Sequence, residues 1–395
     1  MKNFKPIVQN HTFIGVIFAL SALGISIHAY LLPTNIIDGE LHTHYNNYLV
    51  FKSSFAHLVQ KLDLYELYGS DHFDYYKYSP SFAFLMFPFH FLPTVVGLYL
   101  WNLLNALFVF FSFKYVPLLS DKIKALMLWY VFFELFGSLQ NAQSNGVMAG
   151  LIIVAFVLLE RDKTLWATLA LVLSVYVKIF GLVAFSLFFL YPKKLKFILY
   201  SVLWFVVIFA LPLFVVDVDY VLSSYQSWLN LLQWDFSAST GISFMGLLNA
   251  FLPIHVPKNT VIALGILLFC LPLFNKKSWQ DYQFRILHLA SILIWVIIFN
   301  HKAESPTFVL VMCGIAFWYF TQEKTYLKLA LIILALLLSS FSPTDAFPRI
   351  IREAIIFPYR LKALPGVIVW FYIIFEMMFT RYKTTLVRPL TAAKF

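Results

Sequence analysis

Long apolar runs separated by short polar stretches repeat along nearly the whole chain. The first, FIGVIFALSALGISIHAYLL at 13–32, is long enough to cross a hydrocarbon core of about 30 Å as a helix rising about 1.5 Å per residue. Similar runs lie at 94–114, 123–138, 146–160, 196–216, 260–274, 283–299, 305–320, 327–341 and 364–380. Between 164 and 191, TLWATLALVLSVYVKIFGLVAFSLFFLY holds two shorter segments interrupted at Lys178 and Gly181. That interruption predicts a broken or re-entrant pair, because irregular backbone at membrane depth is tolerated only where protein or water covers it. The pattern predicts an all-α polytopic membrane protein, a transmembrane bundle of about 11–13 helices. No Pro/Gly/Ser linker and no internal repeat divides it, so residues 1–395 read as a single integral-membrane domain.

The connection from 33 to about 80 is too long for a simple loop and is expected to be functional. Within it, Val50, Phe55, Leu58, Val59 and Leu62 follow helical spacing. They predict a short helix lying in the membrane interface.

Composition agrees with the pattern. The chain is 61% hydrophobic and only 12% charged, and its mean hydropathy of +0.80 excludes an ordinary soluble domain. A net charge of +10 comes without a clustered basic face or a nucleic-acid motif, so no nucleic-acid partner is expected. A positive excess in cytoplasmic loops accounts for it. Lys2 and Lys5 precede the first run and place the N-terminus on the cytoplasmic side, with a retained first helix rather than a cleaved signal. Threaded from there, most basic residues fall on the cytoplasmic face and most acidic ones on the other. Cys270 and Cys313 both lie in apolar runs and form neither a disulfide framework nor a metal pair.

With that threading, five polar stretches reach the non-cytoplasmic face: DGELHTH within 33–80, SLQNAQSNG at 138–146, Lys178, NHKAESP at 300–306, and FSPTDAFPRIIREAIIFPYR at 341–360. Asp38, Glu40, His42 and His44 alternate and would share one face of an extended strand. They could be a solvated loop, a catalytic acid and base, or a loose metal set, and no metal is expected. Gln140, Asn141, Gln143 and Asn145 could cap the next helix or read sugar hydroxyls. An ammonium such as Lys178 amid apolar helix is paired or functional by default, with Glu134 as one possible partner. Arg349, Arg352 and Arg360 are cations on a face that ordinarily avoids them. An anionic lipid phosphate would satisfy such cations in charge and geometry.

Several stretches together carry a family likeness. They are NNYLVFKSSFAHLVQKLDLYELY with YKYSPSFAFLMFPFHFLPTVVGLYLWNLLN, then QNAQSNGVMAGLIIVAFVLLERDKTLWATLALVLSVYVKIFGL, then NHKAESPTFVL. Read in order over roughly 13–320, the chain resembles glycosyltransferase family 87, polyprenol-phosphate-mannose-dependent mannosyltransferases. The resemblance implies a GT-C bundle, with residues 321–395 as C-terminal helices and the reaction at the extracytoplasmic face of the cytoplasmic membrane. It implies transfer of a hexose, mannose in the family, from a polyprenyl-phosphate donor to a glycan or glycolipid acceptor with inversion and without a cofactor. It also implies an Asp base in the first outer loop. The matching position here is Asn47, whose amide cannot accept a proton, so Asp38 is the expected base with Glu40 as substitute. Lys178, His301 and Lys302, with Arg349 and Arg352, are assigned to the donor phosphate. Gln143, Asn145, Glu304 and Tyr78 are assigned to the sugar and acceptor.

Two other classes remain open. A non-catalytic glycolipid-binding relative would keep the site and lack the base. A lipid or solute transporter would need paired broken helices in two related halves, and only one interrupted pair is visible.

Overall fold

Asn10 starts the first helix by accepting, through its side chain, the backbone N–H groups of Thr12 and Phe13. From there the computed structural model describes residues 7–252 and 256–380. Helix α1 is His11–Leu31, followed by a hairpin of β1, Asn35–Ile37, and β2, Glu40–His42. The first loop continues with α2, Asn46–Val59, α3, Pro80–Leu85, and α4, Phe87–His90. Then come α5, Thr94–Lys114, α6, Asp121–Gln140, α7, Asn145–Glu160, and α8, Thr164–Val177. A 3-10 segment, Ile179–Leu190, leads to α9, Lys194–Ala210, α10, Val218–Ala238, α11, Phe244–Phe251, and α12, Lys258–Cys270. The chain closes with α13, Tyr282–Ile298, α14, Val309–Thr321, α15, Tyr326–Ala335, α16, Arg349–Ile351, and α17, Leu364–Phe379.

Five of these segments, His11–Leu31, Thr94–Lys114, Asp121–Gln140, Lys194–Phe214 and Leu361–Phe379, are long and apolar enough to cross a membrane. Seven shorter apolar helices stand with them among the described residues, matching the expected bundle. Helices α13 and α14 form its centre: Leu287 to Leu293 and Val309 to Trp318 are buried throughout. A helix apolar on every side is one surrounded by other helices.

Three charge pairs are buried inside the bundle among the described residues, as the low dielectric favours. Arg285 grips Glu160 in a bidentate pair at 2.5 and 2.9 Å, and Lys328 meets Glu376 at 2.5 Å. Lys362 donates to Glu134 at 2.6 Å, both side chains being 5% exposed. Glu134 is therefore not the partner of Lys178, because the end of the chain supplies it with a cation of its own.

The interrupted pair exists, with α8 ending at Val177 and Lys178 in extended conformation (φ −145°). Beyond it, three-residue periodicity is visible in burial: Gly181, Ala184, Leu187 and Leu190 are the buried residues, one ridge of a 3-10 coil. Gly181 permits the contact, since a Cβ there would lie 2.5 Å from Ser174 Oγ.

Two elements depart from expectation. The Asp38–Gly39 turn folds 35–42 into a hairpin in which Asn35 pairs with His42. Asp38 then occupies the tip with φ 51°, so the four alternating residues do not share one extended face. Helix α10 was not anticipated. Its Val221, Ser224, Trp228 and Asp235 are buried, spaced as one helical face. It lies on the first loop, where Tyr220 bonds the carbonyl of Leu62 (2.6 Å) and Trp228 that of Lys77 (3.2 Å). Helix α2 covers most of the expected interfacial segment, with Val50, Phe55 and Leu58 buried and Val59 left exposed.

Candidate functional site

The turn between α6 and α7 carries the first polar group. Ala142, with φ 48°, reverses the chain and leaves Gln143 and Asn145 at the start of α7. Lys178 Nζ donates to Asn145 Oδ1 at 2.7 Å. Asn145 Nδ2 donates to Gln143 Oε1 at 2.6 Å, and Gln143 Nε2 donates to Glu304 Oε2 at 2.8 Å. The charges at the two ends fix both amides, for an ammonium can only donate and a carboxylate only accept. The ammonium also stands 5.7 Å from the Tyr78 ring centroid and 5.8 Å from that of Phe180, a favourable arrangement for a desolvated cation. Of its three N–H donors one is engaged by a hydrogen bond among the described residues. Its counter-charge lies two amides away, so Nζ keeps donors for an incoming anion, unlike the directly paired Lys362.

A second group adjoins it. The 299–304 turn is clamped by Gly241 and Ile242, the latter bonding Ala303 O at 2.7 Å. Gly241 has φ 56°, and a Cβ there would sit 2.8 Å from the carbonyl oxygens of His301 and Ala303, so only glycine fits. The turn presents Lys302 to Asp235 of α10 at 2.9 Å and sets His301 edge-on to Phe236, 4.8 Å between ring centres. Lys258 bonds the Phe236 carbonyl at 2.7 Å. Burial draws the His301 imidazole below its ordinary 6.5, with Lys258 and Lys302 adding to this and Asp235 opposing it.

Lys77 bridges the two groups. It pairs with Asp74 at 3.1 Å and lies within electrostatic reach of Asp235 and Glu304. Burial works against its charge, but those carboxylates outweigh burial and leave it more firmly protonated than a free lysine. The sequence reading passed over Asp74, Lys77 and Asp235. The only signal for the first two was a charged pair at i, i+3 ahead of the Tyr-Ser-Pro segment.

The structure thus brings together Tyr78, Gln143, Asn145, Lys178 and Glu304, and sets His301 and Lys302 beside them. Other candidates sit elsewhere. Among the described residues no hydrogen bond or ion pair joins Asp38 or Glu40 to this network. Asp38 is exposed at the hairpin tip, and Glu40 is 3.8 Å from His42. Asn47 donates its amide to the Asn141 carbonyl at 2.9 Å. Arg349 pairs with Glu353 at 2.6 Å and Arg352 with Asp345 at 2.8 Å, so acids of their own segment answer both. Among the described residues no three His, Cys, Asp or Glu side chains converge as a metal site.

Beyond Lys178 in the chain, an apolar groove of about 710 Å³ lies between the 3-10 segment, α9, α12 and α13. Leu182, Phe185 and Phe188 line it from one side, Phe205, Ile266 and Trp295 from the others. Leu182 is four residues past Lys178, about 8 Å along a 3-10 coil.

No curated protein matches the chain significantly. The family model of glycosyltransferase family 87 matches residues 76–343. That stretch contains Tyr78, Gln143, Asn145, Lys178, His301, Lys302 and Glu304, and leaves outside it Asp38, Glu40, Asn47, Arg349 and Arg352. The match covers well over half of the sequence and nearly all of the amide and lysine network, and the chain belongs to glycosyltransferase family 87.

Proposed function

We propose that this glycosyltransferase moves a hexose, mannose by family likeness, from a polyprenyl-phosphate donor to a glycan or glycolipid acceptor, inverting the anomeric carbon. The reaction would run at the extracytoplasmic face of the cytoplasmic membrane. One observation carries the reading: an incompletely paired ammonium, Lys178, precedes by only four residues Leu182, the first residue that lines an apolar groove. An amphiphile with a phosphate between sugar and prenyl chain matches that sequence of environments, a cation followed by hydrocarbon.

In the proposed mechanism Lys178, Lys302 and neutral His301 stabilise the leaving phosphate as the sugar–phosphate bond breaks. Gln143 and Asn145 offer the sugar amides whose orientation is already set, and Tyr78 offers it a ring face. A carboxylate must take the acceptor hydroxyl proton. Asp38 and Glu40 remain candidates in the first loop. Asp74 is the stronger one, because its pairing with Lys77 ties it to the network around Glu304. Arg349 and Arg352 would join the donor site only by exchanging their present partners.

The test is transfer itself. Purified protein is incubated with labelled polyprenyl-phosphate hexoses and a panel of glycan and glycolipid acceptors, and the label is followed. Label moving to an acceptor supports the reading; donor bound but never consumed points instead to a glycolipid-binding relative, which the amide at Asn47 would favour.

A further inference from the structure

A second cavity lies at the other end of the bundle. Helix α7 runs from Asn145 in the site to Glu160 in this cavity, about 24 Å at 1.5 Å per residue. The 3-10 segment starts next to Lys178 and ends next to Tyr191, again about 24 Å at 2 Å per residue. Two independent elements therefore separate the cavity from the network around Lys178 by roughly the thickness of a hydrocarbon core.

The cavity encloses about 520 Å³, and its polar wall is basic in excess. Lys193, Lys194, Lys276 and Arg285 line it against Glu160 and Asp162. Both acids are already engaged: Glu160 by Arg285 at 2.5 Å and by the Tyr191 hydroxyl at 2.5 Å, Asp162 by Lys193. Two ammonium groups are left over. Lys194 is held by the carbonyls of Phe188 and, at 2.7 Å, of Phe189, which leaves one N–H donor and an unneutralised charge, and it stands 5.3 Å from the Trp279 ring centre. Lys276 is exposed and has no side-chain partner among the described residues. Phe189 lines this cavity and also the apolar groove, so the two spaces adjoin.

We infer that this cavity is a second lipid site, holding the phosphate headgroup of an anionic phospholipid through Lys194 and Lys276 while an acyl chain rests against Phe189 at the end of the groove farthest from Lys178, clear of the Leu182 end proposed for the prenyl chain. Surplus positive charge selects an anion, Trp279 and Tyr191 are suited to headgroup depth, and the adjoining groove selects an amphiphile over a free phosphate. The inference does not depend on the transferase reading.

Native mass spectrometry of the full-length protein from mixed micelles of phosphatidylglycerol and phosphatidylcholine tests it. The expected result is one retained phosphatidylglycerol preferred over phosphatidylcholine. Lys276→Gln should weaken retention about fivefold, the usual contribution of one lysine at an anionic surface, and Lys276→Glu should abolish the preference. Lys276 is exposed and pairs with no side chain among the described residues, so both variants should fold. Retention unchanged in Lys276→Glu would overturn the site. Displacement of the bound species by millimolar inorganic phosphate, without lipid preference, would overturn its assignment to a lipid.

Discussion

The side-chain amide of Asn47 donates to the backbone carbonyl of Asn141 across 2.9 Å, tying the first loop to the turn ahead of α7. Only a donor can make that tie. A carboxylate at 47 would face a carbonyl oxygen, and the two would repel.

Asn47→Asp is therefore expected to lower stability by about 1 kcal/mol, the net worth of one such bond, without raising turnover. Thermal unfolding in detergent beside a transfer assay measures both. A clear gain in rate would show that position 47 serves as a base after all.

If Asp74 takes the acceptor proton, Asp74→Asn should reduce turnover by about 10²–10⁴-fold while donor binding persists. Asp38→Asn and Glu40→Gln should then keep most activity. The reverse pattern would return the base to the hairpin.

Loss of Lys178 removes a cation from the leaving phosphate. Lys178→Met is expected to lower kcat/KM by about 10²–10³-fold. Lys302→Met should have a smaller effect, since Asp235 already answers part of that charge. Equal losses from the two variants would contradict the ranking.

His301 is neutral at pH 7, because burial holds its imidazole below 6.5. A bound phosphate favours the imidazolium, so the KM for donor should fall as the pH is lowered from about 7.5 to 6. The stability of the free protein moves the other way. The unfolded chain takes up that proton first, so stability present above 6.5 is lost as the pH drops towards the folded-state value. In His301→Gln the KM dependence should vanish and the stability loss should shrink to the part left by other buried histidines such as His72, and kinetics with melting curves across that range would reveal it.

The buried pair of Lys362 and Glu134 gives a test away from the site. Lys362→Met or Glu134→Gln alone should cost about 3–5 kcal/mol, because each strands a partner in low dielectric. The double variant should recover much of the loss. Unfolding of the three variants would show whether the pair is coupled.

The spanning helices were legible because each apolar run is its own signal, and even the break at Lys178 showed as one cation and one glycine in greasy sequence. Gln143, Asn145 and Glu304 were legible for a related reason: polar side chains beside apolar helices have few places to go. Helix α10 was not, since its buried face alternates with polar positions and no single window of it is strongly apolar. Asp74 and Lys77 were hidden among the many charges of the first loop. Only the packing of that loop under α10 distinguishes them from their neighbours. Arg349 and Arg352 misled because charge was read without its local partners, Glu353 and Asp345.

The three-residue burial repeat in Ile179–Leu190 gives that segment a phase. Its small and aliphatic ridge is locked inward, which turns Leu182, Phe185 and Phe188 towards the groove as one continuous rail. Inserting or deleting a single residue would rotate everything downstream by a third of a turn. A deletion would turn that rail into the protein, and an insertion would turn in Val183, Ser186 and Phe189, which line the groove beside it, so substitutions in this stretch should be tolerated where indels are not.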